Sequence, residues 1–203
     1  MTYQNRVDPF GRLLAVPQRG FMMGNRGNLH NKSTGILREF KLKAWIACLL
    51  EYKGCHREVM SPGKYTELFF LDEATALAAG HRPCAACRRV AYNKFVSCWK
   101  VSNVILKGQG NKDAIDNRLH VERYSPIPRY ERLSELPAGT MVTKGEKPVP
   151  HLWFNQELYA WSFAGYTQSI AAQSDDTVQV LTPESIVKIL AEGYAASVHE
   201  TAF

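Results

Sequence analysis

Long apolar segments are missing from this sequence of 203 residues. The longest uncharged apolar stretch runs from Ala44 to Leu50, far short of the roughly 18 residues that a membrane-spanning helix needs. The N-terminus also lacks the charged and then apolar pattern of a secretory signal peptide. We therefore expect a soluble, cytoplasmic protein, and the 45% hydrophobic content predicts an ordinary buried core.

Three common catalytic signatures are absent as well. The sequence contains no Gly-x-x-x-x-Gly-Lys, no His-Glu-x-x-His and no Gly-x-Ser-x-Gly. These patterns carry the phosphate loop of many ATPases, the zinc site of many proteases and the nucleophile of many serine hydrolases. Their absence argues against those three classes of enzyme.

Cysteine is scarce, with five residues in a chain that shows no export signal. An odd number in that setting argues against a disulfide framework. Cys84 and Cys87 are separated by two residues, a spacing that lets both sulfur atoms bind one tetrahedral metal ion. A redox role would require a thioredoxin-like βαβ setting. The pair therefore predicts a structural zinc site.

A closed zinc site needs two more ligands. The neighbouring candidates are Cys55, His56, His30 and His81. We predict Cys55 as the third ligand and His56 as the fourth, with His30 as its rival. Cys48 and Cys98 lie within apolar patterns, where a cysteine is usually a small buried hydrophobic residue, and are predicted to lie outside the site.

Acidic residues are scarce in the first half of the chain. Residues 1–100 carry 16 Lys and Arg against 7 Asp and Glu, a net charge of +9, whereas residues 101–203 carry 9 against 12, a net charge of −3. No acid occurs between Gly80 and Lys100. Such a basic segment attracts phosphate backbones, although a solvated helix face is the alternative. The sequence predicts a nucleic acid, DNA above all, as the partner.

Two segments supply the predicted nucleic-acid contacts. The Gly-rich loop from Asn25 to His30 offers an arginine for a phosphate and an amide for a base edge, or is simply a structural loop. The basic segment and the end of the third predicted helix supply the others. The predicted residues are Asn25, Arg26, Arg82, Arg88, Arg89, Lys94 and Arg123.

Local patterns predict an α+β fold. Strands are expected over residues 42–52 and 65–71, forming a zinc-stapled β-hairpin, and a short helix should follow with Asp72 as its N-cap and Gly80 as its end. A second helix should begin at the Cys87 position and bury one face. These elements form the predicted zinc-containing module.

Further helices and a small mixed C-terminal region complete the predicted fold. A third helix is expected over residues 111–124, and Pro126 and Pro128 follow it. We therefore predict a basic, nucleic-acid-facing region over residues 1–125 and a smaller mixed α/β region over residues 126–203. The two could equally form one continuous domain.

The third predicted helix carries the catalytic candidates. Asp113, Asp116 and His120 recur at spacings of three and four, which puts them on one helical face, and Glu122 adds another acid. An Asp–His pair one turn apart can orient and deprotonate a water molecule. We predict Asp116, His120 and Glu122 as catalytic residues. A solvated polar face would give the same spacing.

One segment resembles a known module. The run Leu71-Asp72-Glu73-Ala74-Thr75-Ala76-Leu77-Ala78-Ala79-Gly80-His81-Arg82-Pro83-Cys84-Ala85-Ala86-Cys87-Arg88 resembles the zinc-binding module of the bacterial Ada family of methyl-phosphotriester repair proteins. The resemblance covers residues 55–89 and implies a structural zinc and an association with DNA. Ada-type modules open with two cysteines separated by three residues, whereas Cys55 here is followed by His56, so phosphotriester repair is not implied. The whole chain also resembles an uncharacterised bacterial protein family.

The functional expectation is a hydrolase that acts on DNA. A two-metal nuclease needs several convergent carboxylates, whereas base excision can run with one carboxylate and a water once the nucleotide is out of the helix. The sequence thus favours a glycosylase acting on damaged or modified bases, in DNA repair or antiviral defence against phage. A DNA nuclease and a non-catalytic DNA-binding or regulatory zinc protein remain the alternatives.

Overall fold

The computed structural model of the chain describes residues 2–54, 58–103, 111–125, 127–145, 148–168, 172–173 and 175–203. Within these ranges four helices accompany two six-stranded sheets, which confirms the predicted α+β class. No helix in the described part of the chain is long and apolar enough to cross a membrane. The predicted ligands Cys55 and His56 lie outside the described residues.

The first sheet is built from the N-terminal region. Its strands are β1 (Arg6–Val7), β2 (Leu13–Leu14), β3 (Met22–Asn25), β4 (Ile46–Cys48), β5 (Leu68–Phe70) and β6 (Arg82–Pro83). Their order across the sheet is β2-β1-β5-β3-β4-β6. The β4–β6 and β1–β5 pairs are parallel, and the others are antiparallel.

The predicted hairpin between the strands near residues 42–52 and 65–71 does not form. Strand β3 lies between β4 and β5 and pairs with both. The predicted strand over residues 42–52 is also shorter than expected, because only Ile46–Cys48 joins the sheet. Its apolar neighbours Leu49 and Leu50 are exposed. Apolar content alone therefore overstated the length of this strand.

The second sheet is antiparallel throughout and comes from residues 129–180. Its strands are β7 (Arg129–Arg132), β8 (Thr140–Thr143), β9 (Pro150–Phe154), β10 (Glu157–Ser162), β11 (Gly165–Gln168) and β12 (Thr177–Val180). Their order is β11-β10-β9-β8-β12-β7. The two sheets thus fall on either side of the predicted boundary at residue 125.

The helices are α1 (Glu73–Ala78), α2 (Arg89–Ser102), α3 (Lys112–Arg123) and α4 (Glu184–Ala191). Asp72 caps α1 as predicted, accepting a hydrogen bond from the Thr75 backbone N–H at 2.8 Å. Gly80 follows with a φ of 75°, a conformation that glycine adopts at little cost. Phe95, Cys98 and Trp99 are buried on α2, which confirms its predicted apolar face.

Helix α1 lies at the centre of the molecule, and all six of its residues are buried. Ala76 packs with the first sheet, Ala74 and Ala78 pack with the second sheet, and Leu77 packs with α2, α3 and α4. Small side chains let all three layers approach the helix closely. The alanine-rich sequence of α1 is therefore explained by burial on every side.

Two buried carboxylates at the start of α1 tie the C-terminal segment to this centre. Asp72 accepts hydrogen bonds from the Tyr166 hydroxyl at 2.7 Å and the His199 backbone N–H at 3.0 Å. Glu73 forms an ion pair with Arg88 at 2.7 Å and accepts hydrogen bonds from the Ser197 N–H and hydroxyl. Hydrogen-bonded networks of this kind are needed to keep charges inside a protein.

Candidate functional site

Three cysteines converge where β4 meets the loop that precedes α2. The sulfur atoms of Cys48, Cys84 and Cys87 all lie within 4.8 Å of one another. Two thiolates bound to one tetrahedral zinc ion are separated by roughly 3.8 Å, given a Zn–S distance of about 2.3 Å. The group could therefore hold a metal ion at three of four tetrahedral positions.

The parallel pairing of β4 with β6 brings these cysteines together. Ala47 is aligned with Pro83, and the Cys84 N–H donates to the Ala47 carbonyl at 2.9 Å. Cys48 and Cys84 are the next residues on the two strands, and they lie side by side. The turn that follows brings in Cys87 immediately before α2. The group thus joins the edge of the first sheet to the start of this helix.

Hydrogen bonds favour the thiolate form of Cys84. The pKa of Cys84 is lowered to about 4, chiefly because it accepts a hydrogen bond from the Cys48 thiol and also from the backbone N–H groups of Cys87 and Ala86. Burial raises the pKa of Cys87. Thiolate is the form of cysteine that binds metals. One thiolate is thus already favoured, and a bound cation would favour the other two.

The structure groups Cys48 with Cys84 and Cys87, although the sequence analysis set Cys48 apart from this pair. Cys48 is buried, as its apolar neighbours indicate, but its sulfur atom belongs to the cysteine group. The sequence offered no signal for the parallel pairing that places it there. Cys98, by contrast, packs in the core among helices α2, α3 and α4 as predicted.

The histidine candidates described by the structure are engaged elsewhere. The His30 ring nitrogens contact the Thr66 hydroxyl at 2.6 Å and the Ser61 carbonyl at 3.2 Å. The His81 Nε2 atom accepts a hydrogen bond from Arg26 at 3.2 Å. Neither belongs to the cysteine group, so the fourth ligand is still predicted from Cys55 and His56.

Two of the residues predicted to contact nucleic acid, Arg82 and Arg88, form ion pairs within the protein. Arg82 donates through Nε and Nη2 to the two carboxylate oxygens of Asp116, at 2.7 and 2.8 Å, and both side chains are buried. Arg88 pairs with Glu73. Arg89 and Lys94 are exposed on α2, and Lys100 extends the same basic helix. These three residues can meet a phosphate backbone without breaking an internal contact.

Helix α3 does not bring the predicted catalytic groups together. Both oxygens of Asp116 are bound to Arg82. His120 packs edge-on against the rings of Phe40 and Tyr124. Glu122 accepts hydrogen bonds from the Ser185 N–H and hydroxyl and pairs with Arg118. These contacts give Asp116 and Glu122 structural roles.

A large cavity opens between the N-terminal loops, the end of α3 and the second sheet. Its volume is about 800 Å³, within the range of small-molecule sites. Its aromatic lining residues are Phe10, Trp45 and Tyr124, and its arginines are Arg12, Arg26, Arg123 and Arg129. The carboxylates at its wall are Glu39, Glu122 and Glu184.

Glu39 differs from the other two carboxylates of the cavity. Glu122 and Glu184 are paired with Arg118 and Lys188. Glu39 is exposed and accepts one hydrogen bond, from the Tyr124 hydroxyl at 3.2 Å. Burial, and then the Glu39 charge, raise the pKa of Tyr124 to about 12, so this hydroxyl keeps its proton. A carboxylate placed in this way can accept a proton from a water molecule.

Trp45 forms the inner wall together with two arginines. The guanidinium carbon of Arg26 lies 3.8 Å from the Trp45 ring centre, and that of Arg123 lies 4.3 Å from it. Arg123 donates to the carbonyl oxygens of Gly80 and Lys43. Both arginines were predicted to contact nucleic acid. No local sequence pattern indicated that a tryptophan would lie against both of them.

Comparison with known proteins gives no family for the chain. No protein-family model matches it, and neither a curated protein nor a solved structure does so.

Proposed function

We propose that this protein is a zinc-containing hydrolase that acts on DNA and removes a damaged or modified base from a nucleotide bound in the cavity. The observation that carries this proposal is Glu39, a carboxylate without a cationic partner among the described residues, held by Tyr124 at the wall of an 800 Å³ cavity. Base excision requires a pocket, a stacking surface and a group that activates water. The cavity, the exposed ring of Tyr124 and the Glu39 carboxylate support each of these requirements in turn.

The proposed reaction uses one water molecule. Glu39 takes a proton from the water molecule. At the same time the water oxygen forms a bond to the sugar carbon C1′. The bond from C1′ to the base breaks, and its electron pair moves to the base nitrogen. Glu39 then returns the proton to the departing base. The products are a free base and an abasic site, so the atoms and charges balance without a further reactant.

The proposed zinc site has a structural part in this function and does not contact the reacting atoms. Zinc is the metal proposed for the three cysteines, because structural sites of this kind are rich in thiolate. Binding at Cys84 and Cys87 would fix the start of α2, whose exposed basic residues Arg89, Lys94 and Lys100 attract a phosphate backbone. We assign the zinc a structural role and no step of the reaction.

Cys55 is proposed as the fourth ligand in preference to His56. Replacing Cys55 with alanine should weaken zinc retention at least 10-fold in competition with a chelator, because a closed structural site needs four ligands. His56→Ala should retain zinc as the unmodified protein does. If only His56→Ala loses zinc, the histidine is the ligand, and if both variants keep it, neither residue is.

Replacing Glu39 with glutamine should lower the rate of base release by about 10²- to 10⁴-fold, the usual contribution of a general base. Folding should be unaffected, because Glu39 is exposed and makes one hydrogen bond. Base release is measured as alkali-labile sites in DNA. Glu51→Gln, at another exposed carboxylate, is the matched control. Full activity in Glu39→Gln would remove Glu39 from the reaction.

The function itself is tested by incubating the zinc-loaded protein with normal and modified DNA duplexes. Abasic sites without direct strand breaks support the glycosylase. Direct strand breaks would show that the protein is a nuclease and not a glycosylase. If the protein binds DNA with strong salt dependence and leaves it intact, it is a non-catalytic DNA-binding protein.

A further inference from the structure

Arg26 is a buried cation that forms no ion pair with an anion among the described residues. Its side chain is 1% exposed, and no carboxylate in the described part of the chain forms an ion pair with it. Its Nε atom donates to His81, and its buried Nη2 atom finds no acceptor among the described residues. Burying a charge in this way is costly unless an anion compensates it.

The groups in direct contact with Arg26 are neutral, and the nearby acids are engaged with other partners. Burial holds the pKa of His81 well below its ordinary value, so this ring is neutral. Trp45 offers its ring face, and the nearby Arg123 is a second cation. Of the nearest acids, Asp8 is paired with Arg12 and Glu39 is hydrogen-bonded to Tyr124. The protein thus stabilises this guanidinium by stacking, without an ion pair to any described carboxylate.

Arg26 remains charged at neutral pH. Burial is the main cause that lowers its pKa, to about 9. Its free Nη2 atom points toward the loop around Gly11, since a methyl group added at Gly11 would lie 3.7 Å from this nitrogen. Gly11 and Arg26 both line the cavity. A buried, charged donor therefore belongs to the cavity wall.

A second arginine on the same wall also has an unused donor. Arg129 donates through Nη2 to the Thr182 carbonyl at 3.2 Å, but its buried Nη1 atom has no acceptor among the residues described. The Glu131 Oε1 atom lies 3.0 Å from the Arg129 Nε atom. Each of these two cavity-lining arginines thus has a buried N–H donor without an acceptor among the described residues.

We propose that Arg26 binds the phosphate group of a nucleotide in this cavity. The inference rests on the proposed function in assigning the cavity to a nucleotide, but it requires no bond cleavage. Arginine suits this role because its planar guanidinium donates several hydrogen bonds to phosphate oxygens. The Tyr124 ring, which is 43% exposed and lines the same cavity, provides a surface on which a base can stack.

Isothermal titration of the unmodified, zinc-loaded protein tests this directly. Thymidine 5′-monophosphate should bind at least 10-fold more tightly than thymidine, which lacks the phosphate. Equal affinities, or no binding of either compound, would overturn the proposal. A thymidine dinucleotide joined by one phosphodiester distinguishes the source of the phosphate: tighter binding than the monophosphate indicates a strand, and weaker binding indicates a free nucleotide.

A pair of variants locates the phosphate site. Arg26→Gln should lose at least 10-fold in affinity for the monophosphate and should lose the rise in melting temperature that the monophosphate gives at constant ionic strength. Arg19→Gln, at an exposed arginine that does not line the cavity, should keep both. Unchanged binding in Arg26→Gln would place the phosphate elsewhere. If Arg26→Gln does not fold, the comparison of nucleotide with nucleoside on the unmodified protein still decides.

Failure of this inference and failure of the proposed function give different results. If nucleotide binding depends on Arg26 but no DNA acquires abasic sites, the phosphate site is supported and the glycosylase function is rejected. If abasic sites form but nucleotide binding does not depend on the phosphate, the glycosylase function is supported and the role of Arg26 is rejected.

Discussion

Replacement of Cys48 with serine is expected to remove most of the bound metal and to destabilise the first sheet. The sulfur atoms of Cys48, Cys84 and Cys87 lie within 4.8 Å of one another and could hold a metal ion. Loss of one thiolate would leave two of these candidate ligands, where a closed zinc site needs four. Structural zinc contributes roughly 10–16 kcal/mol of binding free energy in small zinc domains. We therefore expect a large fall in both metal content and melting temperature.

Cys98→Ser is the matched control for this experiment. Cys98 is as deeply buried as Cys48 but lies in the core between the helices, where its thiol contacts the Glu192 carbonyl at 3.5 Å. This variant should keep one metal ion per chain, measured by elemental analysis of the purified protein. Full metal content in Cys48→Ser would show that Cys48 is not a ligand.

Replacing Asp116 with asparagine is expected to lower the free energy of unfolding by about 3–5 kcal/mol, because it leaves Arg82 buried without its counter-charge. The carboxylate makes two hydrogen bonds to Arg82, and neither side chain is more than 6% exposed. The measurement is chemical denaturation of the zinc-loaded protein. A catalytic role without a structural one predicts the opposite result, a stable but inactive protein.

Asp113→Asn provides the comparison on the same helix. Asp113 is exposed in the first turn of α3, and an exposed substitution of this kind usually changes stability by no more than about 0.5 kcal/mol. Equal stabilities of the two variants would show that the Arg82–Asp116 pair contributes little. The pair gives the buried position of Asp116 a structural explanation. The same face of a helix serves equally for catalysis and for an internal ion pair.

The elements that the sequence predicted well have local causes. Asp72 caps α1 and Gly80 follows its end because a side-chain acceptor and a positive φ act within one turn. Ile115 and Leu119 are buried on α3, as their spacing indicates. The proximity of the Cys84 and Cys87 sulfur atoms is likewise local, since two residues separate these cysteines. Residues close in sequence settle each of these features.

The features that the sequence left undecided all depend on contacts between distant segments. The parallel alignment of β4 with β6 placed Cys48 beside Cys84, and the packing of α3 on β6 placed Asp116 against Arg82. These pairs are 36 and 34 residues apart in the chain. No periodicity reports such partners, because periodicity describes only which face of an element is buried.

The sequence by itself determined the fold class, the helix boundaries near α1 and α3 and the presence of a cysteine pair suited to a metal. Tertiary structure decided which basic residues are free to meet a ligand. Arg82 and Arg88 look the same in sequence as Arg89, yet the first two are neutralised by carboxylates and the third is exposed. Charge is a property of the residue, whereas its availability depends on the partners that folding brings to it.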